Sequence, residues 1–223
     1  EESNRFDFLR ARIASRPPCV FFDRARDAAE AFGDADAATP TFAPMAALIE
    51  GIRIIDDIQD EEEVCVAVEI GADRALLLAS GAMALALDLI AALPLRGAKW
   101  RSAAASFGRG LRETAIGQEL ERTAARGFAE FWEVVDRKTA QLVATALETG
   151  ALAAGAEPAR AAELTQLAIP LGRLLQIGDD CHDALGPDAT DWRAPHNTLL
   201  MAYSLSGPHA AELETLLRDP STL

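Results

Sequence analysis

Apolar residues recur along this chain at spacings of three and four positions, which is the repeat of an amphipathic α-helix. Ala, Leu, Glu and Arg dominate the composition, and no stretch alternates convincingly between apolar and polar positions as a strand would. The longest predicted helices are apolar on more than one face, as in a layered helical bundle. The predicted helices span residues 18–32, 43–63, 70–92, 100–122, 126–150, 157–169, 171–186, 196–205 and 208–217.

Glycines and prolines separate the predicted helices, among them Pro94, Gly127 and Pro170. No linker, low-complexity tract or short repeat interrupts the series, and an apolar content of 50% is enough for one core. We therefore predict an all-α fold with residues 1–223 in a single domain. The longest apolar run, about Ala75 to Leu95, is interrupted by polar residues and a proline, which favours a buried core helix over a membrane span.

Charge and cysteine usage narrow the class of partner. The chain has 21 Lys and Arg against 35 Asp and Glu, and a net charge of −14 argues against a nucleic-acid partner. The three cysteines (Cys19, Cys65 and Cys181) show no CxxC spacing, which is typical of reduced thiols rather than of a disulfide framework or a zinc site. The charged N-terminus is unlike a signal peptide, so we expect a cytoplasmic protein.

Two acidic motifs carry the chemistry of the sequence, and each closes a predicted helix after an apolar stretch. In each motif the first and last aspartates are four positions apart, so they share one helix face and can bind a cation together. Negative charge is unfavourable at the C-terminal end of a helix, which indicates a bound cation, although either motif alone is equally consistent with a solvated acidic helix end. Magnesium takes oxygen ligands and completes its shell with substrate phosphates, so two motifs facing across a bundle predict a magnesium-bound diphosphate. The motifs are Asp56-Asp57-Ile58-Gln59-Asp60 and Asp179-Asp180-Cys181-His182-Asp183.

Because these two acidic motifs occur in the same order along the chain, the sequence resembles the trans-isoprenyl diphosphate synthases, or polyprenyl synthetase family, over nearly its whole length. Gly117-Gln118-Glu119 is similar to the Gly-Gln motif of that family. Lys138-Thr139-Ala140-Gln141-Leu142 is similar to its Lys-Thr motif, and Gln176 precedes the second aspartate motif as in the family. The later segments Asp191-Trp192-Arg193 and Asn197-Thr198-Leu199 continue the likeness.

The resemblance implies a fold of about ten helices around a central cavity, a homodimer, and Mg²⁺, with about three ions per active site. It implies that the enzyme ionises a geranyl- or farnesyl-type allylic diphosphate and that an alkene captures the cation. Lys138 would bind the diphosphate, and Thr139 and Gln176 would stabilise the cation. From its place one turn before Gly117, Arg112 is also expected to help neutralise the diphosphate. The carboxylates implied as ligands or near-ligands of Mg²⁺ are Asp56, Asp57, Asp60, Asp179, Asp180 and Asp183, with Asp56, Asp60 and Asp179 as the metal ligands.

The resemblance also implies residues that bind the substrates. Gln118 and Arg16 would bind substrate, while Gly51 and Ile52 would line the pocket for the prenyl tail, where a small residue favours longer chains. A glycine tolerated for helix packing explains Gly51 equally well.

The sequence departs from the family where the acceptor, isopentenyl diphosphate, would bind. Only Arg16 and Pro17 match the basic N-terminal motif, the arginine pair expected after Asp60 is missing, and His196 replaces a lysine. Charge-assisted contacts to a second diphosphate are therefore fewer than expected. Isopentenyl diphosphate is the leading acceptor; the alternatives are a class I terpene cyclase, transfer to a non-isoprenoid acceptor, and a non-catalytic subunit of a heteromeric prenyl synthase.

Overall fold

The computed structural model describes residues 11–14, 19–60, 65–123, 127–185 and 198–218. Within these ranges the regular structure is helical and contains no strand, which confirms the predicted all-α class. The α-helices are α1 (Val20–Glu30), α2 (Phe42–Gln59), α3 (Val66–Ile70), α4 (Ala72–Ala91), α5 (Gly97–Thr123), α6 (Phe128–Val135), α7 (Gln141–Ala153), α8 (Pro158–Leu164), α9 (Ala168–Leu185), α10 (Leu199–Leu205) and α11 (Ala210–Arg218). Two 3₁₀ helices (Ala35–Thr41 and Thr165–Leu167) and a π-helical segment (Asp136–Ala140) connect some of them.

Contacts between elements group the described chain into two compact units. The first unit contains the residues up to 111 together with Val143–Gln166, and the second contains Arg112–Leu142 and the residues from 167 onward. The assignment of residues 1–223 to a single domain stays a prediction.

In the first unit, α2 packs closely against α4 because the facing residues are small. Ala75 and Ala79 are fully buried on α4, and they form a core cluster with Ile54 of α2 and Val66 of α3. A Cβ atom on Gly51 of α2 would lie 3.0 Å from the backbone oxygen of Ala79, so this glycine is required for the close approach. The end of α2 is thereby held against a rigid neighbour.

The other side of α4 is exposed and apolar. Leu76, Leu77 and Leu87 are exposed, whereas Ala75, Ala79, Ala82, Ala86 and Ile90 form the buried face. By length and composition α4 is long and apolar enough to cross a membrane, and 28% of its most apolar window is buried. The predicted core helix is therefore buried along its alanine face alone.

In the second unit, the predicted helix over 126–150 contains an irregularity. Five residues, Asp136–Ala140, are π-helical between α6 and α7. A π-helical turn has wider hydrogen-bonded rings than an α-helix, and it occurs most often at functional sites. Before it, Phe131 and Val135 of α6 form a core cluster with Ala202 of α10.

The predicted helix boundary at Pro170 is wrong. Helix α9 begins at Ala168, so Pro170 lies in its first turn. The backbone N–H that proline lacks has no helical partner at that position, so proline is tolerated there.

Candidate active site

The first acidic motif lies where α2 ends. The backbone N–H of Asp60, the C-cap residue, donates to the backbone oxygen of Asp56 at 2.9 Å, so the two residues are one helical turn apart. Asp56 and Asp57 are half-buried and Asp60 is exposed. Two carboxylates at this spacing fit a magnesium ion whose remaining ligands are water and phosphate oxygens.

Gly51 and Ile52 precede this motif on the same helix. Gly51 is buried, and its missing Cβ would also lie 2.9 Å from Cγ of Met83. Close helix packing is therefore a sufficient reason for glycine at this position. The prediction that Gly51 and Ile52 line a prenyl-tail pocket stays a prediction.

The Lys-Thr motif lies within the π-helical segment. Nζ of Lys138 forms an ion pair with Oε2 of Glu121 on α5 at 2.5 Å. Oγ1 of Thr139 donates to Oε1 of Gln176 on α9 at 3.1 Å. The fold thus brings together Thr139 and Gln176, which lie 37 residues apart in the sequence and share one predicted role.

Two glycines allow neighbouring helices to approach the π-helical segment closely. A Cβ atom on Gly117 of α5 would lie 2.8 Å from Cγ of Lys138 and 3.1 Å from its backbone nitrogen. A Cβ atom on Gly172 of α9 would lie 2.5 Å from Cα of Ala140. Gly117 of the Gly-Gln motif therefore has a structural role, because the absence of a side chain lets α5 pack closely against the Lys-Thr motif.

Gln118, the next residue on α5, is 7% exposed. Neither atom of its side-chain amide has a hydrogen-bond partner within the described residues. A buried amide without partners costs about 1–3 kcal/mol, so such a group indicates a bound ligand or water. This observation supports the substrate-binding role predicted for Gln118.

The second acidic motif lies in the last turns of α9, and its aspartates differ in environment. Asp179 is exposed, whereas Asp180 is 6% exposed. Oδ1 of Asp180 accepts from Nε2 of Gln176 at 2.8 Å, and Oδ2 accepts from the backbone N–H of Leu199 at 2.6 Å. Asp180 thus connects the motif to the first turn of α10. The side chain of Asp183 lies outside the described part of the structure.

Two further predicted residues bear on diphosphate binding. Arg112 is exposed and pairs with the neighbouring Glu113 at 3.2 Å, so its role in binding diphosphate stays a prediction. Arg16 lies outside the described residues, as do the segment Asp191-Trp192-Arg193 and His196.

The aspartate carboxylates of the acidic motifs are oxygen ligands, which suit a hard cation that keeps some of its bound water. In the ranges described here, no group of three or more His, Cys, Asp or Glu side chains is close enough to bind a metal ion. The carboxylates of Asp56 and Asp60 can supply two oxygen ligands on one helix face. Oxygen ligands few in number, completed by water and phosphate, are what Mg²⁺ prefers in phosphate sites.

Sequence analysis missed the partners of the motif residues. Glu121 lies three positions after Gln118 and so faces the same side of α5, which is a signal that could have revealed it. No local signal connects Asp180 with Leu199, because hydrogen bonds between helices are set by packing.

Comparison with known proteins agrees with the fold. Residues 25–219 match the polyprenyl synthetase family. No curated protein matches the chain significantly.

Three solved structures illustrate the likeness. The polyprenyl synthetase from Streptomyces coelicolor A3(2) has a TM-score of 0.77 at 23% identity, with 87% of this chain and 62% of that chain covered. For the geranylgeranyl pyrophosphate synthetase from the archaeon Geoglobus acetivorans, the TM-score is 0.82 at 22% identity, with 92% of this chain and 70% of that chain covered. For the polyprenyl synthase from Caulobacter crescentus CB15, complexed with calcium and isoprenyl diphosphate, the TM-score is 0.76 at 25% identity. That match covers 89% of this chain and 65% of that chain.

This chain therefore spans about three-fifths to seven-tenths of the length of those proteins. The likeness at these identities shows the fold, and the match over residues 25–219 shows the family. The chain belongs to the polyprenyl synthetase family.

Proposed function

We propose that this protein is a magnesium-dependent prenyltransferase that ionises an allylic diphosphate and couples the prenyl cation to an acceptor. The observation that carries the proposal is a continuous series of hydrogen bonds in the second unit. Thr139 donates to Gln176, and Gln176 donates to Asp180, so the Lys-Thr motif is connected to the second acidic motif. The buried amide of Gln118, which has no hydrogen-bond partner among the described residues, lies on the helix that packs against the same Lys-Thr motif.

In this proposal the acidic residues bind the metal ion and the basic residue binds the diphosphate. Asp56 and Asp60 of the first motif and Asp179 of the second would be ligands of Mg²⁺, which would neutralise the charge of the leaving diphosphate. Lys138 binds the diphosphate, which competes with Glu121 for the ammonium group. The allylic C–O bond breaks and its electron pair leaves with the diphosphate.

The cation then needs stabilisation until it is captured. The hydroxyl group of Thr139 donates a hydrogen bond to the side-chain oxygen of Gln176, and the dipoles of these two groups can stabilise positive charge at the allyl group. The alkene of the acceptor forms the new C–C bond with its π electrons, and a proton leaves the acceptor carbon. Apolar surroundings limit capture of the cation by water.

Release of diphosphate tests the first step. The purified protein is incubated with dimethylallyl, geranyl, farnesyl or geranylgeranyl diphosphate, with Mg²⁺ or with an excess of chelator. We expect release with Mg²⁺ from at least one of these substrates and almost none with chelator. No release from any of the four would overturn the proposal.

Isopentenyl diphosphate is the leading acceptor, but one cavity favours an uncharged acceptor or cyclisation. A cavity of about 390 Å³ in the first unit lies beside α2, and eight of its ten lining residues are apolar or cysteine. The buried carboxylate of Glu50 pairs with Arg12, and Arg53 is the one arginine among the described lining residues. A second diphosphate binds best to several uncompensated cations, which this lining does not provide.

Product analysis distinguishes the two acceptors. The reaction is run with the allylic diphosphate alone and with added isopentenyl diphosphate, and the products are identified by mass spectrometry. A product longer by one isoprene unit supports isopentenyl diphosphate as the acceptor. A cyclic hydrocarbon formed without it supports cyclisation. Homodimer formation and a cytoplasmic location stay predictions.

A further inference from the structure

The π-helical segment is attached to its neighbours at four consecutive side chains, all within the second unit. A π-helical turn is rare and is stabilised by its surroundings rather than by its own geometry. Two of the four contacts reach α5 and two reach α9. The pairs are Asp136 with Arg173, Arg137 with Glu113, Lys138 with Glu121, and Thr139 with Gln176.

The ion pair of Asp136 and Arg173 has the most defined geometry of the four. Nε of Arg173 donates to Oδ1 of Asp136 at 2.8 Å, and Nη2 donates to Oδ2 at 2.7 Å. The guanidinium group also lies over the ring of Trp132 at 4.9 Å from its centroid. Two parallel hydrogen bonds and a stacked face fix the orientation of the guanidinium plane, as no lysine could.

This ion pair is the neighbour of the hydrogen bond between Thr139 and Gln176. Arg173 and Gln176 are three positions apart on α9, so they lie on one side of that helix. Asp136 and Thr139 are also three positions apart. Gly172 approaches the backbone of Ala140 so closely that the two segments cannot shift toward each other. The ion pair therefore limits movement of the segment along α9.

We propose that Arg173 and Asp136 are positioning residues, whose ion pair sets the place of the Lys-Thr motif against Gln176 for prenyl transfer. This inference rests on the proposed function. If the pair is lost, Oγ1 of Thr139 shifts relative to Gln176 while the diphosphate can still bind. The chemical step slows, because a displacement of about 1 Å in a catalytic group can reduce a rate by about a hundredfold. More of the cation is then captured by water, which forms the prenyl alcohol and releases a proton.

The test compares three variants with a matched control. Arg173→Met removes the ion pair, Asp136→Asn weakens it with less change in shape, and Arg173→Lys keeps the charge without the two parallel hydrogen bonds. Arg160→Met is the control, because Arg160 pairs with Glu163 at 2.6 Å on the surface of α8 in the other unit.

For Arg173→Met we expect kcat to fall about tenfold, while KM for the allylic diphosphate changes less than about threefold. The fraction of prenyl alcohol among the products should rise. Arg173→Lys should recover only part of kcat, Asp136→Asn should resemble Arg173→Met, and Arg160→Met should match the wild type. A merely structural pair would lower the folded fraction without changing the product ratio, KM or the kcat per folded molecule.

Hydrogen–deuterium exchange gives a readout that does not need activity. Backbone amides of residues 136–140 should exchange faster in Arg173→Met than in the wild type, and those of residues 158–164 should not. An active wild type with unchanged kcat and product ratio in Arg173→Met overturns the inference alone. A wild type that releases no diphosphate overturns the proposed function, and the positioning role with it. Unchanged exchange in residues 136–140 overturns the mechanical part of the inference.

Discussion

At the end of α2, the first acidic motif keeps Asp56 and Asp57 half-buried and Asp60 exposed, whereas the second motif, in α9, exposes Asp179 and buries Asp180. The two motifs have the same Asp-Asp-x-x-Asp spacing, yet their second aspartates differ in environment. Asp180 accepts hydrogen bonds from Gln176 and from the backbone of Leu199. One aspartate of the second motif therefore has a structural task besides any task in metal binding.

The difference follows from what lies beside each motif. In the second unit, α9 contacts the π-helical segment through Gln176 and the first residue of α10 through Asp180, so each of these two side chains has a partner on another element. A carboxylate buried there is stable because both of its oxygens accept hydrogen bonds, one from the N-terminal end of a helix. Shared spacing in the sequence thus does not imply a shared role.

The largest effect is expected from carboxylates that are proposed as Mg²⁺ ligands. Asp56→Asn and Asp179→Asn should each lower diphosphate release by about a hundredfold or more, because each removes a charged oxygen ligand of Mg²⁺. The melting temperature should change little. Initial rates of diphosphate release over a range of Mg²⁺ concentrations provide the measurement.

Asp88→Asn is the control for these variants, because Asp88 is an exposed acid on α4 outside both motifs. It should leave the rate unchanged. If Asp179→Asn also leaves the rate unchanged, the second motif does not bind the catalytic metal.

A smaller effect, on stability, should separate the two aspartates of the second motif. Asp180→Ala removes the acceptor for the N–H of Leu199 and for Gln176, and we expect the free energy of unfolding to fall by about 1–3 kcal/mol. Asp179→Ala should change it by less than about 0.5 kcal/mol, because that side chain is exposed. Urea denaturation followed by circular dichroism measures both, and equal losses would contradict the distinction.

The two glycines before the second motif provide a further comparison. Gly172→Ala places a Cβ atom 2.5 Å from the backbone of Ala140, so we expect a loss of about 1–3 kcal/mol. No heavy atom of the described residues lies within 4 Å of a Cβ added to Gly178, so Gly178→Ala should be neutral or stabilising by up to about 1 kcal/mol. Thermal unfolding of both variants tests this pair, and a tolerated Gly172→Ala would mean that α9 can move away from the π-helical segment.

The smallest effect concerns thiol reactivity near the two motifs. Cys181 is exposed within the second motif, whereas Cys65, after the first motif, is buried. Burial raises the pKa of the Cys19 thiol, which lowers its thiolate fraction at neutral pH and delays its reaction until the pH is higher. Iodoacetamide should therefore modify Cys181 first, as followed by peptide mass spectrometry.

Magnesium with inorganic diphosphate should slow the modification of Cys181 and leave the rates of the other two thiols unchanged. Magnesium alone and diphosphate alone are the controls. Equal rates for Cys181 under all conditions would show that no ligand binds at the second motif.

Much of the helical architecture was predictable because it depends on local spacing. The prediction of a helix over 43–63 agrees with α2 (Phe42–Gln59) to within one residue at its start, and residues 61–63 of that prediction lie outside the described residues. The π-helical segment inside the predicted helix 126–150 was not predictable, because its residues have ordinary helix propensities. Its partners, such as Arg173 and Gln176, lie 37 residues away.

The motifs could be identified from the sequence, but their environments could not. The i, i+4 spacing of Asp56 and Asp60 predicted a shared helix face, and the backbone hydrogen bond between them agrees with it. Only the structure shows that Asp180 is buried and that the amide of Gln118 has no partner in the part of the chain that the structure describes. Burial depends on what packs over a residue, which the residue's own neighbours in sequence do not decide.

The sequence by itself determined the all-α class, the order of the motifs and the helix face of each acidic residue, because a helix repeats every 3.6 residues and so converts spacing into direction. Only the tertiary structure decided that Asp180 connects α9 to α10, that Gly172 permits a close approach of α9 and that Arg173 is paired with the π-helical segment. Those outcomes depend on contacts between elements, and a contact such as that of Asp180 with Leu199 forms only when the two helices have packed.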